Sequence, residues 1–279
     1  MSFKSIITFV HDMKADDHVL QSAASIAAAH GAHLSVVCLG IDQTNPGVYY
    51  AGANALALQH TLEIAENEAR SSEQAVRDAL KGWDVQWDVS AITAQIGALG
   101  YVVGDRAQFA DLVVLGKPYG PDRGVEDVAI LEAALFRTRV PVVVLPEGVS
   151  ENIEPKNILI AWNEGAEALA AVRAALPYLH VAENVCIAII DPPSHGPTRS
   201  DPGGALASML SRRQISTQVT LLPKTMPRVS DVLERHCGDF NTDLLVMGAY
   251  GHSRLREAIL GGTTRNTLEN ATIPVLMAH

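Results

Sequence analysis

The sequence predicts two tandem α/β domains, each an open, mainly parallel five-stranded sheet flanked by helices. The first observation behind this prediction is that short, β-branched apolar runs alternate with longer amphipathic stretches. The second is that the whole pattern occurs twice along the 279 residues. The third is the segment LPEGVSENIEPKN, where Pro, Gly and acidic residues interrupt the apolar pattern. We therefore place the domains at residues 1–147 and 154–279.

Strands are predicted first from continuous apolar runs, which are IITFV, LSVVCLGI, DLVVLG and PVVVLP in the first copy. Runs without alternation are typical of strands buried on both faces of a parallel sheet. The third strands are predicted at DVQWDVSAI and ISTQVTLL. Helices are predicted between the strands, at DDHVLQSAASIAAAHG, TLEIAENEARSSEQAVRDALKG, EALAAVRAALPYL and VSDVLERHCGDF. Alternating strands and helices predict right-handed crossovers and two Rossmann-like halves.

The repeat is visible in paired segments. SIITFVHD corresponds to NILIAWNE, HLSVVCLGID to NVCIAIID, ADLVVLGKPYG to TDLLVMGAYG, and RVPVVVLPE to TIPVLMAH. The offset is 149 from Asp42 to Asp191 and 132 from Asp111 to Asp243, so the first copy carries 17 extra residues in its middle. These extra residues, around NPGVYYAGANALALQH, either cover a cleft or bind a second partner.

Composition excludes several classes of function. A net charge of −10 argues against nonspecific binding to nucleic acid or to an anionic membrane, since both favour a basic surface. No apolar run reaches the length of a membrane span, and the amino terminus does not resemble a signal peptide. The three cysteines are far apart and form no metal or redox motif. We therefore expect a cytoplasmic protein with free thiols.

A glycine-rich segment near the end of the chain predicts an anion site. Gly248 ends the segment DLLVMG, Gly251 follows three residues later, and a short turn SRLREAIL leads to GGTT at residues 261–264. This group precedes the helix TRNTLENA and the last strand TIPVLMA, and Thr264 is the expected N-cap. Backbone amides at a helix N-terminus bind phosphate, and hydroxyl groups add donors. The alternative is that the glycines only form turns and the threonines only cap a helix.

The spacing Gly248-x2-Gly251-x9-Gly261, with the small and hydroxyl residues after it, resembles the nucleotide-binding signature of the universal stress protein (UspA) superfamily. DLLVMG and PVL are also typical of that family, and the resemblance covers nearly the whole chain as a tandem pair. It implies an adenine nucleotide as ligand, ATP, AMP or ADP, with or without Mg²⁺. Carried over residue by residue, it implies adenine contacts from Ala161, Trp162, Asn163 and Ile189. It implies ribose and phosphate contacts from Met247, Gly248, Gly251, Gly261, Gly262, Thr263 and Thr264.

Two residues depart from the family pattern. Gly262 stands where the family usually has Ser or Thr, which removes one hydroxyl contact or shifts it to Thr263 or Thr264. Asn163 stands where the family commonly has Asp, which keeps a hydrogen-bonding side chain without its charge.

The first half lacks the equivalent of the glycine-threonine group. Gly116 is retained and Gly120 lies one residue late, but the apolar run Val128–Leu131 occupies the place expected for GGTT, with acidic residues beside it. We predict that this half does not bind ATP in the family manner.

Other constellations are weaker. There is no P-loop motif, and no nucleophile or paired carboxylates accompany the glycine loop, so no catalytic residue is predicted. The histidine pairs His11/His18 and His30/His33 lack further ligands, so we predict no metal site and solvated histidines. Side chains near the loop that remain candidates for phosphate contact are His252, Arg254, Arg256 and Arg265. Asp42 and Asp191 each end the second predicted strand of their half, where they either cap a loop or contact a ligand.

Three functions remain open. The first is a stress-response regulatory protein that binds an adenine nucleotide in its C-terminal half. The second is an enzyme of slow ATP hydrolysis or of nucleotidyl or phosphoryl transfer, for which only His252 and Asp191 are candidates. The third is a scaffold that uses no nucleotide. The resemblance also implies that last strands pair between the halves as an intrachain pseudo-dimer, with a homodimer as a further possibility.

Overall fold

The computed structural model of the chain describes residues 2–43, 55–148, 154–192, 201–249 and 262–279. The described residues separate into two compact units, one ending at Val140 and the other beginning at Pro141. None of the helices within these ranges has the length and apolarity that a membrane span requires.

The first unit contains four parallel strands in the order β3-β2-β1-β4. The strands are β1 Ser5–Val10, β2 His33–Asp42, β3 Gln86–Gln95 and β4 Leu112–Gly116. The helices are α1 Met13–His30, α2 Ala55–Leu80, α3 Leu99–Ala107 and α4 Val125–Ala133. Strand order reverses between β1 and β4, so the carboxyl ends of these two strands form the switch point where such sheets bind ligands.

The second unit contains six strands in the order β5-β10-β9-β6-β7-β8, of which only β5 runs antiparallel to its neighbour. The strands are β5 Val142–Leu145, β6 Asn157–Ala161, β7 Asn184–Ile190, β8 Gln218–Leu222, β9 Leu244–Gly248 and β10 Val275–Ala278. The helices are α5 Ala166–Ala174, α6 Leu176–Leu179, α7 Gly204–Ser211, α8 Val229–Asp239 and α9 Gly262–Asn270. The switch point of this unit lies between β6 and β9.

The predicted fold class is confirmed. Each half of the sequence supplies five strands, and the sheet is mainly parallel with helices between the strands. The central strands are buried almost completely, as their continuous apolar runs predict: Ile158, Leu159 and Ile160 of β6 are all fully buried.

Three of the helices, α3, α4 and α7, were not among the predicted helical stretches. In α3 the reason is Gly100 and Gly104, because glycine lowers helix propensity. A Cβ at Gly104 would lie 3.2 Å from the side chain of Arg137, so the glycine leaves room for this arginine to lie against α3. The Arg137 guanidinium then stacks over the Tyr101 ring at 3.9 Å. Tertiary packing therefore favours a helix that local propensity does not.

Candidate functional site

The carboxyl edge of β6, β7 and β9 brings together several of the predicted site residues. Ala161 ends β6 and is paired with Met247 of β9 on one side and with Ala188 of β7 on the other. Ile189 is the next residue of β7, and Gly248 is the last residue of β9. The family resemblance implied these residues, and parallel strands share one carboxyl edge, where their last residues lie together.

The chain after β6 turns sharply at this edge. The amide of Trp162 donates to the Ala188 carbonyl at 2.9 Å and extends the strand pairing by one residue. The Asn163 side chain then accepts a hydrogen bond through Oδ1 from the Gly165 amide at 3.0 Å, which stabilises the entry into α5. Glu164 between them has a positive φ of 62°.

Gly248 has a structural role at the same edge. A Cβ on this residue would lie 2.5 Å from the amide nitrogen of Ala168 and 2.8 Å from the carbonyl carbon of Glu167. Both are backbone atoms of the first turn of α5, so glycine is required for α5 to approach the end of β9 this closely.

Helix α9 begins at Gly262, two residues earlier than predicted. Thr264 is therefore the third residue of the helix and 5% exposed, and the prediction that it is the N-cap is wrong. The sequence favoured a later start because glycine is a poor helix former, but a residue in the first turn tolerates glycine well. Gly262 and Thr263 are exposed. Because the carboxyl end of α9 leads directly into β10 at the amino edge of the sheet, its first residues point toward the carboxyl edge.

Several predicted residues lie outside the described ranges. These are Gly251 and Gly261 of the motif, the turn SRLREAIL, and the side chains of His252, Arg254 and Arg256. Arg265 lies within α9, where its Nε donates to Glu269 Oε1 at 2.7 Å.

The equivalent edge of the first unit contains a buried ionic cluster, which we call the Arg123 cluster (His11, Asp16, Arg123 and Asp127). Arg123 Nη1 lies 2.6 Å from Asp16 Oδ1 and 3.0 Å from Asp127 Oδ1. His11 Nε2 lies 3.0 Å from the same Asp127 oxygen. The side chains of Arg123, Asp16 and Asp127 are 4%, 4% and 7% exposed.

The guanidinium group of the Arg123 cluster lies on the end of β4. A Cβ at Gly116 would come within 2.8 Å of Arg123 Nη2, which also donates to the Ala15 carbonyl at 2.9 Å. Gly116 corresponds to Gly248 in the repeat. A side chain of the protein therefore occupies the position in the first unit that corresponds to the predicted nucleotide edge of the second.

Protonation in the cluster follows from its contacts. Burial alone would lower the pKa of His11, but the Asp127 hydrogen bond and the charges of Asp16, Asp127 and Glu126 outweigh it and raise that pKa. Burial alone would raise the pKa of Asp127, but hydrogen bonds from His11 and the Gly124 amide hold it below its usual range. Both shifts favour the ionised forms.

Sequence reasoning missed this cluster. His11 is 13% exposed, so the prediction of solvated histidines is wrong for this residue. The signal that could have revealed the cluster is the pair Arg123 and Asp127, four residues apart at the start of a predominantly apolar run. A buried aspartate in such a run requires a cationic partner.

The other candidate side chains are accounted for individually. Cys38, Cys186 and Cys237 are free and buried, as predicted. Burial raises the pKa of Cys38 to about 12. Asp191 is exposed and has a positive φ of 49°, while Asp42 is 4% exposed. Within the described residues no cluster of His, Cys, Asp and Glu is arranged to hold a metal ion.

Comparison with known proteins relates these features to a family. Residues 155–279 match the universal stress protein family. A stretch of 86 residues is 35% identical to universal stress protein Slr1230 of Synechocystis sp., and this match covers 29% of this chain and 29% of that protein. The chain thus spans less than a third of the length of the curated relative that it matches.

Solved structures resemble the chain over almost its full length. A universal stress protein from Archaeoglobus fulgidus DSM 4304 is similar with a TM-score of 0.66 at 13% identity, covering 98% of this chain and 95% of that one. A functionally unknown protein from Pseudomonas aeruginosa PAO1 is similar with a TM-score of 0.56 at 16% identity, covering 98% and 92%. At these identities the similarity is one of fold.

Proposed function

We propose that the domain at residues 155–279, which matches the universal stress protein family, binds one adenine nucleotide at the carboxyl edge of β6 and β9. The ligand is ATP, ADP or AMP, with or without Mg²⁺. Binding serves regulation in a stress response rather than turnover. The alternatives are slow phosphoryl chemistry at the same edge and a scaffold without nucleotide.

The observation that carries the proposal is that the switch point between β6 and β9 lies at the edge toward which the start of α9 points, and that this helix start is rich in small residues. The predicted adenine residues Ala161 and Ile189 lie on adjacent strands beside Met247 and Gly248. Helix α9 starts with two exposed residues, Gly262 and Thr263, and the first-turn amides of a helix attract phosphate. Among the described residues, a Cβ at Gly262 would have only Asn266 Nδ2 near it, at 4.0 Å.

Asn163 contributes to the proposal as a donor. Its Oδ1 accepts from the Gly165 amide, and its Nδ2 group can act as a donor. An aspartate at this position would offer only acceptors. We therefore infer that Asn163 binds an acceptor on the nucleotide, such as a ring nitrogen or a ribose oxygen.

The proposal assigns no nucleotide to the first unit. The Arg123 cluster occupies the corresponding edge, and its guanidinium is already paired with two carboxylates. A phosphate there would have to displace buried ion pairs and approach Asp16 and Asp127, which is unfavourable. Nucleotide bound by this edge in a crystal would contradict the assignment.

The proposal includes an intrachain pseudo-dimer. The last strand of the first half, β5, pairs with the last strand of the second half, β10, through the register Val142–Met277, Val143–Leu276 and Val144–Val275. This pairing covers a strand edge that would otherwise invite association with another chain.

Isothermal titration calorimetry of the nucleotide-stripped chain with ATP, ADP and AMP tests the proposal. We expect micromolar affinity at one site per chain. Gly262→Asp should weaken binding by about tenfold or more, because it adds a negative charge at the phosphate end of α9. The helix should not be harmed, because no described residue would crowd a side chain at position 262 and acidic residues suit a helix N-terminus.

Two control variants separate charge from structure. Gly262→Asn has the same shape without the charge and should stay within about threefold of the wild type, since a threefold change is well under 1 kcal/mol. Gly82→Asp adds the same charge where nothing lies within 4 Å of a Cβ, away from the site, and should bind normally. Absence of binding to the wild type would leave the scaffold as the remaining function. Mg²⁺-dependent turnover that is lost in Gly262→Asp would favour the enzyme.

A further inference from the structure

Strand β8 forms an open edge of the second unit. Among the described strands it pairs with β7 alone, in parallel. The Asp191 amide donates to the Leu222 carbonyl at 2.9 Å, so Leu222 directs its main-chain groups toward β7. Because these directions alternate along a strand, Val219 and Leu221 direct their N–H and C=O groups away from β7. Within the described residues, this outer edge of β8 has no partner strand.

The same two residues expose apolar side chains. Val219 is 41% exposed and Leu221 is 54% exposed. Side chains two positions apart lie on one face of a strand, so both can contact the alternate side chains of a neighbouring strand. The strand QVTLL itself carries no charge, although charged side chains are a common protection of edge strands against pairing. The edge therefore offers main-chain hydrogen bonds and apolar contact together.

The segment around β8 is basic in an acidic protein. The chain carries a net charge of −10, yet residues 202–230 contain no aspartate or glutamate. Four cationic residues lie in this segment, two before β8 and two after it. All four are exposed, and within the described residues none of them forms an ion pair or a side-chain hydrogen bond. They are Arg212, Arg213, Lys224 and Arg228.

The corresponding strand of the first unit differs in charge and in exposure. Strand β3 also ends the strand order of its unit, but Asp88 lies on it and Asp84 precedes it. No lysine or arginine occurs from residue 82 to residue 105. Val89 of β3 is only 7% exposed. The basic and apolar character of β8 is therefore not a general consequence of its place in the fold.

We propose that the outer edge of β8 binds an acidic segment of a partner protein, which adds to the sheet as an extended strand. Main-chain hydrogen bonds to Val219 and Leu221 hold this segment, and the two side chains contact its apolar residues. Carboxylates at its two ends pair with the cations before and after β8. A nucleic acid would also attract these cations, but it would use neither the main-chain edge nor the apolar side chains. Strand β7 separates this edge from β6, so the proposal does not rest on nucleotide binding.

Fluorescence anisotropy of labelled peptides with the full chain tests the proposal. The probe EETVTVTDD has acidic ends and a β-branched centre, and we expect it to bind about one site per chain. The same peptide N-methylated at its three central residues keeps its charge but loses main-chain donors. It should bind at least about fivefold more weakly, the equivalent of one hydrogen bond. The charge-reversed peptide KKTVTVTKK should bind at least about tenfold more weakly.

Variants of the chain assign the binding to β8. Arg213→Gln/Lys224→Gln removes one cation on each side of the strand and should weaken the acidic probe by about fivefold or more. Arg70→Gln/Arg106→Gln is the matched control, because it removes the same charge from exposed positions of the first unit, and it should bind normally. Val219→Pro removes an outward N–H, where an edge strand tolerates proline, and should make the methylated and unmethylated probes bind alike.

Circular dichroism verifies that the variants fold, and the methylated probe with the wild-type chain tests the strand pairing even if Val219→Pro does not. Absence of binding would overturn the proposal, as would equal affinity of the acidic probe and either its methylated or its charge-reversed form. Displacement of the probe by an oligothymidylate of equal charge, as effectively as by unlabelled peptide, would indicate a nonspecific polyanion site and would also overturn it.

Discussion

Charge balance at single residues explains the Arg123 cluster. Two carboxylates, Asp16 and Asp127, face one guanidinium, and His11, whose pKa these carboxylates raise, supplies the second positive charge when it is protonated. Further hydrogen bonds to Asp16 come from the amides of His11 and Asp12, at 3.1 and 3.3 Å. Buried charges are tolerated only when paired and hydrogen-bonded, and this set satisfies both conditions.

Removing the guanidinium should therefore be severe. Arg123→Met leaves two carboxylates buried without a permanent cation, so we expect the free energy of unfolding to fall by about 3–5 kcal/mol. Arg70→Met is the control, because Arg70 forms a helical pair with Glu66 at 3.6 Å while its side chain is 72% exposed. It should cost less than about 1 kcal/mol. Urea denaturation measures both, and similar losses in the two variants would contradict this account.

The pH dependence of stability follows from His11. Its pKa in the folded protein is raised above the ordinary value of 6.5, so its contribution is complete below pH 6.5 and is lost as pH rises through the folded-state pKa. Asp16, Asp127, Glu126 and the cationic Arg123 are the charged groups around it. We expect the stability difference between wild type and His11→Gln to be larger at pH 6 than at pH 9 in urea denaturation.

His30 provides a control of opposite sign. Burial and the nearby Lys4 lower its pKa, so its contribution is present above pH 6.5 and is lost as pH falls through the folded-state pKa. The difference between wild type and His30→Gln should therefore be smaller at pH 6 than at pH 9. A His11→Gln difference that is independent of pH would show that His11 is not charged in the folded protein.

Sequence reasoning could not assemble the whole cluster, because its two close pairs, His11 with Asp16 and Arg123 with Asp127, come from distant parts of the chain. Asp16 and Arg123 are 107 positions apart, and the sequence shows no pattern that joins them. By contrast, Ala161, Met247 and Ile189 were implied by the family resemblance, and they lie together because strand ends in a parallel sheet meet at one edge.

Among the structural elements, the contact between α5 and β9 depends on Gly248 having no side chain. Gly248→Ala would place a Cβ against the backbone of Glu167 and Ala168, and backbone atoms cannot rotate away. We expect a loss of about 1–3 kcal/mol in the free energy of unfolding, as for overpacking in a core. Gly262→Ala meets no close contact with the described residues and removes a glycine from a helix, so it should be neutral or stabilising.

Urea denaturation of the two variants side by side checks this contrast. If Gly248→Ala were as stable as Gly262→Ala, the close approach of α5 would not require glycine. The expected contrast also determines how the nucleotide site should be studied, because a loss of binding in a Gly248 variant reflects displacement of α5 as well as contact with ligand.

Element boundaries show where local pattern was insufficient. Strands were predicted well because burial on both faces gives continuous apolar runs, as in β6 and β9. The start of α9 was predicted too late, because glycine is typical of turns, whereas Gly262 lies in the first turn of the helix. Helix α3 was missed for a related reason, since its two glycines serve contact with Arg137.

On the scale of the whole molecule, the repeat in the sequence and the compact units divide the chain differently at β5. The repeat assigns this strand to the first copy, whereas its contacts join it to the second unit, where it covers the edge of β10. The sequence pattern could indicate that the edge strand β10 needs a partner, but only the pairing register in the structure identifies β5 as that partner. Val142, Val143, Val144 and Leu145 are all buried there.

We therefore expect that the second unit, when it is produced as a separate fragment, needs β5 to fold stably. Residues 141–279 should be monomeric and cooperatively folded, whereas residues 154–279 should self-associate or unfold at lower urea concentration. The shorter fragment exposes the free edge of β10, and it loses the burial of four side chains, worth about 1.5–3 kcal/mol for each. Light scattering after size-exclusion chromatography and urea denaturation distinguish the two. If the fragments matched in both measurements, the β5–β10 pairing would contribute little, and the unit would be complete from residue 154 onward.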